Sequence, residues 1–344
     1  MTSRIAIVGA GKRVRQTVLP GVLALGDQVV VSGIHSRKPR TLSLPDGSEI
    51  TTITSLDAAE FAAVDIVIVA VPTRSIRGVL EALRFLPRSK EISVVLDTPP
   101  LRLSDIIKTR TFAGFKSVIV AEDWFKLSPV LLIKHLVAQD MIGTLNQITL
   151  DRMSYRYHGL ATVRALANAA WLRSIKASKS EAGKPVYTIV TGNGVSCQTI
   201  MPRDYAQGAI SVTGTRGWIS NHASEEASGD GYLIAFPQET SGWYQPMSLN
   251  GDLQSPDAVE QYMTCLPFAY LEDQTAINRL KIRGYARLIE DLMSDSVDYD
   301  IVDGLYDYVA TTAVERLKYF RDVRGLSSNK SVLRSLLSLH RPKR

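Results

Sequence analysis

The chain has 344 residues, too many for one small core, and reads as one large or two ordinary domains. Its 45% hydrophobic and 22% charged residues are ordinary for a globular protein, and a net charge of +6 spread along the chain without a recognition motif argues against nucleic-acid binding. Cys197 and Cys265 form no metal motif and are expected to be reduced; with no apolar leader and no run long enough to span a bilayer, a cytoplasmic protein is expected, with no metal and no membrane partner.

The run from Arg4 to Val8 predicts a buried first strand that ends in Gly9-Ala-Gly11. Gly11 has no side chain, so a phosphate can approach its backbone, and a helix over 12–25 offers unpaired N–H groups and a positive dipole end. Val14 stands where the usual fingerprint has a third glycine. Lys12, Arg13 and Arg15 either add positive charge at this turn or form an ordinary solvated helix start. The second strand, from Gln28, ends at Ser36-Arg37-Lys38, with Arg40 close behind. No acid stands where one would bond a ribose 2′-hydroxyl. A hydroxyl, a guanidinium fork and an ammonium suit a 2′-phosphate instead, so the expected cofactor is NADP(H). A solvated basic turn is the alternative. The expected contacts are Gly9, Gly11, Lys12, Arg13, Ser36, Arg37 and Lys38.

Next come a strand over 50–53, a helix over 56–63, and the run 65–72, apolar on both faces as buried parallel strands are. A helix over 75–85, a strand over 92–96, a helix over 103–109 and a strand over 117–121 complete an alternation that predicts a doubly wound parallel sheet. Ligands bind beyond the carboxyl ends of such strands. Gly9, Ser36, Pro72, Asp97 and Glu122 all fall there, and Val71, Pro72, Asp97 and Thr98 complete the expected cofactor contacts. The texture then changes. A helix over 129–138, a strand over 145–153 and a helix over 158–170 precede strands over 187–191, 195–200, 208–213, 217–220, 231–236 and 243–247. These predict an α+β unit with an open, largely antiparallel sheet, with 222–230 as an exposed loop and helices over 273–294 and 302–320. The expected division is a dinucleotide-binding domain over 1–122 and a substrate and oligomerisation domain over 123–344, whose last helices return to the first.

The order of these pieces resembles the Gfo/Idh/MocA oxidoreductases. Gly9-Ala-Gly11 is similar to that family's nucleotide turn, Val69-Ala-Val-Pro72 to its fourth strand and following turn, and Leu96-Asp-Thr-Pro-Pro-Leu101 stands where it has Glu-Lys-Pro-Leu. Lys126-Leu-Ser-Pro129 stands where it often has Arg-Phe-x-Pro, and the segment from His158 to Leu166 resembles the helix carrying its active-site histidine. The resemblance implies a cofactor domain followed by a substrate domain on an open sheet, a cis Thr98-Pro99 bond, and a homodimer or homotetramer formed through the C-terminal sheet. It also exposes departures. Thr98 replaces the family lysine and Ser154 replaces the acid four residues before the histidine, so only His158 remains of the catalytic set.

His158 is the first candidate general acid or base, because an imidazole titrates near neutrality. Tyr155 and Tyr157 flank it as phenol donors or as packing residues, Thr98 can orient the reacting oxygen, and Lys126 either replaces the missing lysine or forms a structural ion pair. Arg156, Arg164, Trp171, Trp243 and Tyr244 are candidate substrate-lining residues, or else core and interface. The expected function is an NADP(H)-dependent oxidoreductase. It moves a hydride to or from a carbonyl, imine or carbinol carbon of a biosynthetic sugar derivative or cyclic imine, with reduction as the expected direction. A cofactor-binding sensor or partner subunit without turnover is the second reading, and a lyase or hydrolase using tightly held cofactor the third.

Overall fold

A computed structural model describes residues 2–44, 47–56, 61, 63–102, 105, 112–153, 155–204, 208–222, 230–235, 248–249, 252–253 and 276–321. Five strands form a parallel sheet: β1 (Ser3–Val8), β2 (Val29–His35), β5 (Ile66–Val69), β6 (Ser93–Leu96) and β7 (Ser117–Val120), in the order β2-β1-β5-β6-β7. Side chains alternate between the two faces of a strand. Ile5, Ile7, Ile66, Ile68 and Ile119 enter one core, whereas Ala6, Val8, Val67, Val69, Val94 and Val120 enter the other. Both faces are covered, which is why these runs are apolar throughout. Between β2 and β5, β3 (Thr41–Ser43) and β4 (Glu49–Thr51) form a small antiparallel ladder, where only a strand over 50–53 is expected from sequence.

The helix after the glycine turn differs from a single regular helix over 12–25. A π-turn at Val14–Val18 leads into α1 (Leu19–Leu23), with the Leu19 N–H donating to the Val14 carbonyl. Pro20 has no N–H and its ring crowds the carbonyl four residues back, so the wider turn spares the ladder a clash. Gly9 has φ +128°, and a Cβ there would lie 2.2 Å from the Ala70 carbonyl oxygen. Gly9→Ala is therefore expected to cost at least about 1–3 kcal/mol from backbone strain, read as a lower urea midpoint with an unchanged slope.

α2 (Thr73–Leu83) covers one face of the sheet through Ile76, Leu80 and Leu83. The other face is covered by α5 (Ala276–Met293), which brings Tyr285 and Ile289 onto the isoleucines and crosses α1 so closely that a Cβ on Gly21 would lie 3.0 Å from Ile282 O. α6 (Ile301–Leu317) starts at a capping box between Asp300 and Asp303, and Gly304 lets it lie against Val120 of β7. Both C-terminal helices thus contact the parallel sheet or the helix upon it.

The remaining strands form one ten-stranded mixed sheet. They are β8 (Leu145–Asp151), β9 (Leu172–Lys179), β10 (Pro185–Thr191), β11 (Ser196–Ile200), β12 (Ala209–Gly214), β13 (Gly217–Ser220), β14 (Asp230–Ala235), β15 (Ser248–Leu249), β16 (Asp252–Leu253) and β17 (Tyr319–Arg321). Most pairs are antiparallel, with β8·β11 and β13·β14 parallel. α3 (Ser128–Ala138) and α4 (Tyr157–Leu166) pack together beneath it. Four of these strands, β9, β15, β16 and β17, are absent from the sequence reading. In β9 the fully buried apolar positions are 172 and 175, three apart, which reads as a helical spacing. β17 follows directly on α6, which ends because Lys318 takes φ +60° and turns the chain, so the helix stops short of 320. The expected strand over 243–247, most of the loop over 222–230 and most of the helices over 56–63 and 103–109 lie outside the described residues. Among the described residues no helix is long and apolar enough to cross a membrane.

Candidate active site

Strand order reverses at β1, which has β2 on one side and β5 on the other. Outside the carboxyl ends of these three strands lies a cavity of about 640 Å³. It is lined by the turn of residues 9–11, by Ser36, Arg37, Lys38 and Arg40 after β2, and by Val71 and Pro72 after β5. The Gly9 N–H donates to the His35 carbonyl at 2.9 Å and pins the turn against β2. A Cβ on Gly11 would meet nothing within 4 Å, so the backbone there faces open space. Ser36 is buried, while Arg37, Lys38 and Arg40 form an exposed basic rim. Among the described residues no carboxylate lines this cavity.

Further along the same row of strand ends, after β6 and β7, sit Asp97, Thr98, Glu122, Asp123 and Trp124. Arg13 does not line the cavity. Its Nε donates to Asp97 at 3.3 Å and its Nη2 to Asp123 at 2.9 Å. Burial works against the charge on Arg13, but Asp123 and Asp97 outweigh it and keep the guanidinium protonated. Burial pushes the Asp97 carboxyl above its ordinary value, against the pull of Arg13. Two residues expected as cofactor contacts, Arg13 and Asp97, are thus engaged with each other, and Lys12 is exposed away from the lining.

His158 lies in the first turn of α4, and its Nδ1 is 2.8 Å from both Oε1 and Oε2 of Glu122. A carboxylate only accepts, so Nδ1 carries the proton and donates, leaving Nε2 for a reacting group. Glu122 Oε1 also accepts from the Trp124 N–H at 3.2 Å. Glu122 is fully buried and His158 keeps 9% of its surface, so the imidazole is the exposed end of the pair. The Trp124 ring centroid is 5.6 Å from that of His158, and the Tyr157 ring centroid is 4.4 Å from it. The Tyr157 hydroxyl is hydrogen-bonded to Thr98, and burial, reinforced by Glu122, raises its pKa. The Thr98-Pro99 bond is cis.

The other candidates are placed elsewhere. Lys126 Nζ is 2.6 Å from Asp291 Oδ2 of α5 and 2.9 Å from Asp298 Oδ1, so the buried lysine is held by two carboxylates that face solvent in part. Tyr155 carries the Arg156 guanidinium over its ring at 4.7 Å, and Arg156 pairs with Glu315 at 2.8 Å. Arg164 is buried between Asp303 at 2.5 Å and Asp307 at 3.3 Å, so it braces α4 against α6. The Trp171 ring lies against Gly192, where a Cβ would come within 2.3 Å of it, so it packs within the second sheet. Ser154, Trp243, Tyr244 and Cys265 lie outside the described residues.

Two groups escape the sequence reading. Glu122 is visible only as an acid ending a strand, and its partner lies 36 residues on. Lys281 has no local signal, because α5 reaches the strand ends only through the fold. Its Nζ stands 5.3 Å from the centroid of the Trp124 ring. Burial lowers its pKa to about 8, with Arg203 and Arg13 lowering it further and Asp123 and Asp97 opposing them.

The sequence model of a family described as "NADP oxidoreductase coenzyme F420-dependent" matches residues 4–99. No curated protein matches the chain. Solved structures do. The WlbA dehydrogenase of Bordetella pertussis, in complex with NADH and UDP-GlcNAcA, is 14% identical with a TM-score of 0.58, over 93% of this chain and 98% of that one. An oxidoreductase of Agrobacterium radiobacter, in complex with NAD+, L-tartaric acid and magnesium, is 14% identical with a TM-score of 0.62, again over 93% and 98%. A levoglucosan dehydrogenase, in complex with NADH and levoglucosan, is 13% identical with a TM-score of 0.62, over 94% of this chain and 100% of that one. The shared architecture runs through both sheets, and the chain has the fold of the Gfo/Idh/MocA-type oxidoreductases.

Proposed function

We propose that the protein is an NADP(H)-dependent oxidoreductase that reduces a carbonyl or imine carbon of a small sugar derivative. The observation that carries this reading is one row of strand ends with a basic-rimmed cavity at one end, lined by no carboxylate among the described residues, and the Glu122–His158 pair at the other. The residues fit a dinucleotide: Gly9 allows the tight turn, open space at Gly11 admits a phosphate, and the basic rim suits a 2′-phosphate. When bound, the cofactor supplies a hydride from C4 of its reduced nicotinamide.

The chain's own part is to orient, to exclude water and to move a proton. Glu122 fixes the imidazole and compensates the charge that His158 carries as imidazolium, and His158 Nε2 then hands a proton to the reacting oxygen or nitrogen. Thr98, positioned by Tyr157, offers that atom a neutral hydrogen bond. Lys126 is structural in this reading, since two carboxylates hold it. Neighbours with levoglucosan and with a UDP-sugar acid in their sites support a sugar-related substrate. The test is loss of nicotinamide absorbance on mixing protein and NADPH with a panel of keto sugars, lactones, nucleotide-sugar ketones and cyclic imines. Turnover with at least one of them is expected, and none with any would contradict it.

Arg37→Asp checks the cofactor assignment. It exchanges a charge-assisted phosphate contact, worth about 1.5–3 kcal/mol, for a carboxylate. NADPH is expected to bind about tenfold to a hundredfold more weakly and NADH no worse than before, measured by fluorescence titration.

A further inference from the structure

We propose that Arg156 is a positioning residue for His158: its strained backbone sets the histidine against Glu122, and its side chain, tied to Glu315, keeps that backbone in place. The inference rests on the function proposed above, in which His158 is the proton donor. Arg156 stands two residues before His158 and has φ +49° and ψ −126°. Those angles belong to the first central residue of a type II′ turn, a place ordinarily held by glycine. The His158 N–H closes the turn by donating to the Tyr155 carbonyl at 3.1 Å. Lys318, at the end of α6, also has a positive φ, but its ψ of 3° keeps it in the left-handed helical conformation, which side chains enter more readily.

The backbone groups of Arg156 are committed on both sides. Its N–H donates to Met201 Sδ at 3.4 Å. Its carbonyl accepts from the Gly159 N–H at 2.9 Å, at the start of α4. Relaxing the turn to ordinary angles would break both contacts and carry His158 with it. The imidazole tolerates little displacement, because Nδ1 meets the fixed Glu122 carboxylate at 2.8 Å.

Glycine would make this turn without strain, so the turn itself does not call for an arginine. What the side chain adds is an anchor. Arg156 Nε is 2.8 Å from Glu315 Oε1, and the guanidinium lies over the Tyr155 ring at 4.7 Å. Glu315 belongs to α6 and also accepts from the Tyr187 hydroxyl of β10. The turn is thereby fastened to α6 and to the second sheet, while Glu122 fastens the ring to the parallel sheet. A half-exposed ion pair ordinarily adds little to global stability. Here it opposes a local strain, so its removal is read in the population of the turn and hence at His158.

The experiment compares the unaltered protein with Arg156→Ala, Arg156→Gly, Glu315→Ala and the double variant Arg156→Gly/Glu315→Ala. Arg156→Ala keeps the strain and drops the anchor. Its kcat is expected to fall about tenfold or more, the population cost of one strained residue, with KM for NADPH unchanged. Arg156→Gly should recover most of that loss. Glu315→Ala should lower kcat several-fold beside Arg156 and add nothing beside the glycine. The second readout needs no substrate. The nitrogen NMR spectrum of histidine-labelled protein, with His158→Gln assigning the signal, reads which ring nitrogen carries the proton. A single Nδ1–H form is expected in the unaltered protein and in Arg156→Gly, and mixed tautomers in Arg156→Ala. If Arg156→Ala fails to fold, the effect of Glu315→Ala in its two backgrounds decides. If alanine and glycine behave alike in both readouts, or Glu315→Ala acts equally in both backgrounds, this assignment is overturned and the proposed function stands. If no substrate is turned over with NADPH, the proposed function fails, and the tautomer comparison still decides what Arg156 does to His158.

Discussion

His158→Ala is expected to slow turnover by about 10²–10⁴, the usual cost of losing a positioned proton donor. The pair with Glu122 makes this the most sensitive single position. The carboxylate is fully buried, accepts from Nδ1 at 2.8 Å, and fixes which ring nitrogen faces the substrate. Thr98→Val is expected to cost far less, around tenfold, because it removes one neutral hydrogen bond of about 0.5–1.5 kcal/mol. Neither change touches the cavity at the β1–β5 reversal, so NADPH affinity is expected to stay within a factor of two or so in both. Steady-state rates and a fluorescence titration on the same preparations check this. Equal losses in the two variants would move the proton donor away from His158, with Tyr157 next in line because its ring contacts the imidazole.

Arg164→Met is expected to be the most destabilising change, at about 3–5 kcal/mol, because it leaves buried carboxylates without their cation. Arg164 bonds both Asp303 and Asp307, and Asp307 also accepts from the Tyr299 hydroxyl at 2.8 Å. The pH dependence has a definite sign. Burial raises Asp307 from 3.8 to about 7, with Arg164 opposing the rise. Between those values the folded state holds a proton that the unfolded state has released, so this group's contribution is fully present below 3.8 and is lost as pH rises through about 7. Removing Arg164 removes the opposing pull, so the variant's deficit should be larger at pH 8 than at pH 5.5. Urea unfolding at the two values measures it, and a deficit under about 1 kcal/mol at both would place this network with surface ion pairs.

The parallel sheet is legible in the sequence because its strands are buried on both faces, so runs such as 66–69 carry no competing polar pattern. The glycine turn is legible for a similar reason: at Gly9 only a residue without a Cβ fits against Ala70. Legibility fails where the fold makes the contact. β9 hides behind a three-residue spacing, and β17 behind a helix whose end depends on one left-handed residue. Within the site, His158 is recognisable from its helix, but its partner is not, because the acid that the resemblance implies four residues earlier is absent and the carboxylate comes from the segment after β7 instead. The partners of Lys126 are hidden in the sequence for the same reason. That lysine pairs with Asp291 and Asp298, which α5 and the residues after it bring to it from more than 160 positions further along the chain.

The central claim is that the cavity beside Ser36, Arg37 and Lys38 holds a dinucleotide carrying a 2′-phosphate. Calorimetric titration of the unaltered protein with NADPH and with NADH at one fixed ionic strength tests it directly. The account predicts NADPH binding at least about tenfold tighter, one charge-assisted contact's worth, with the difference shrinking as salt is raised. Equal affinities, or tighter binding of NADH, would contradict it.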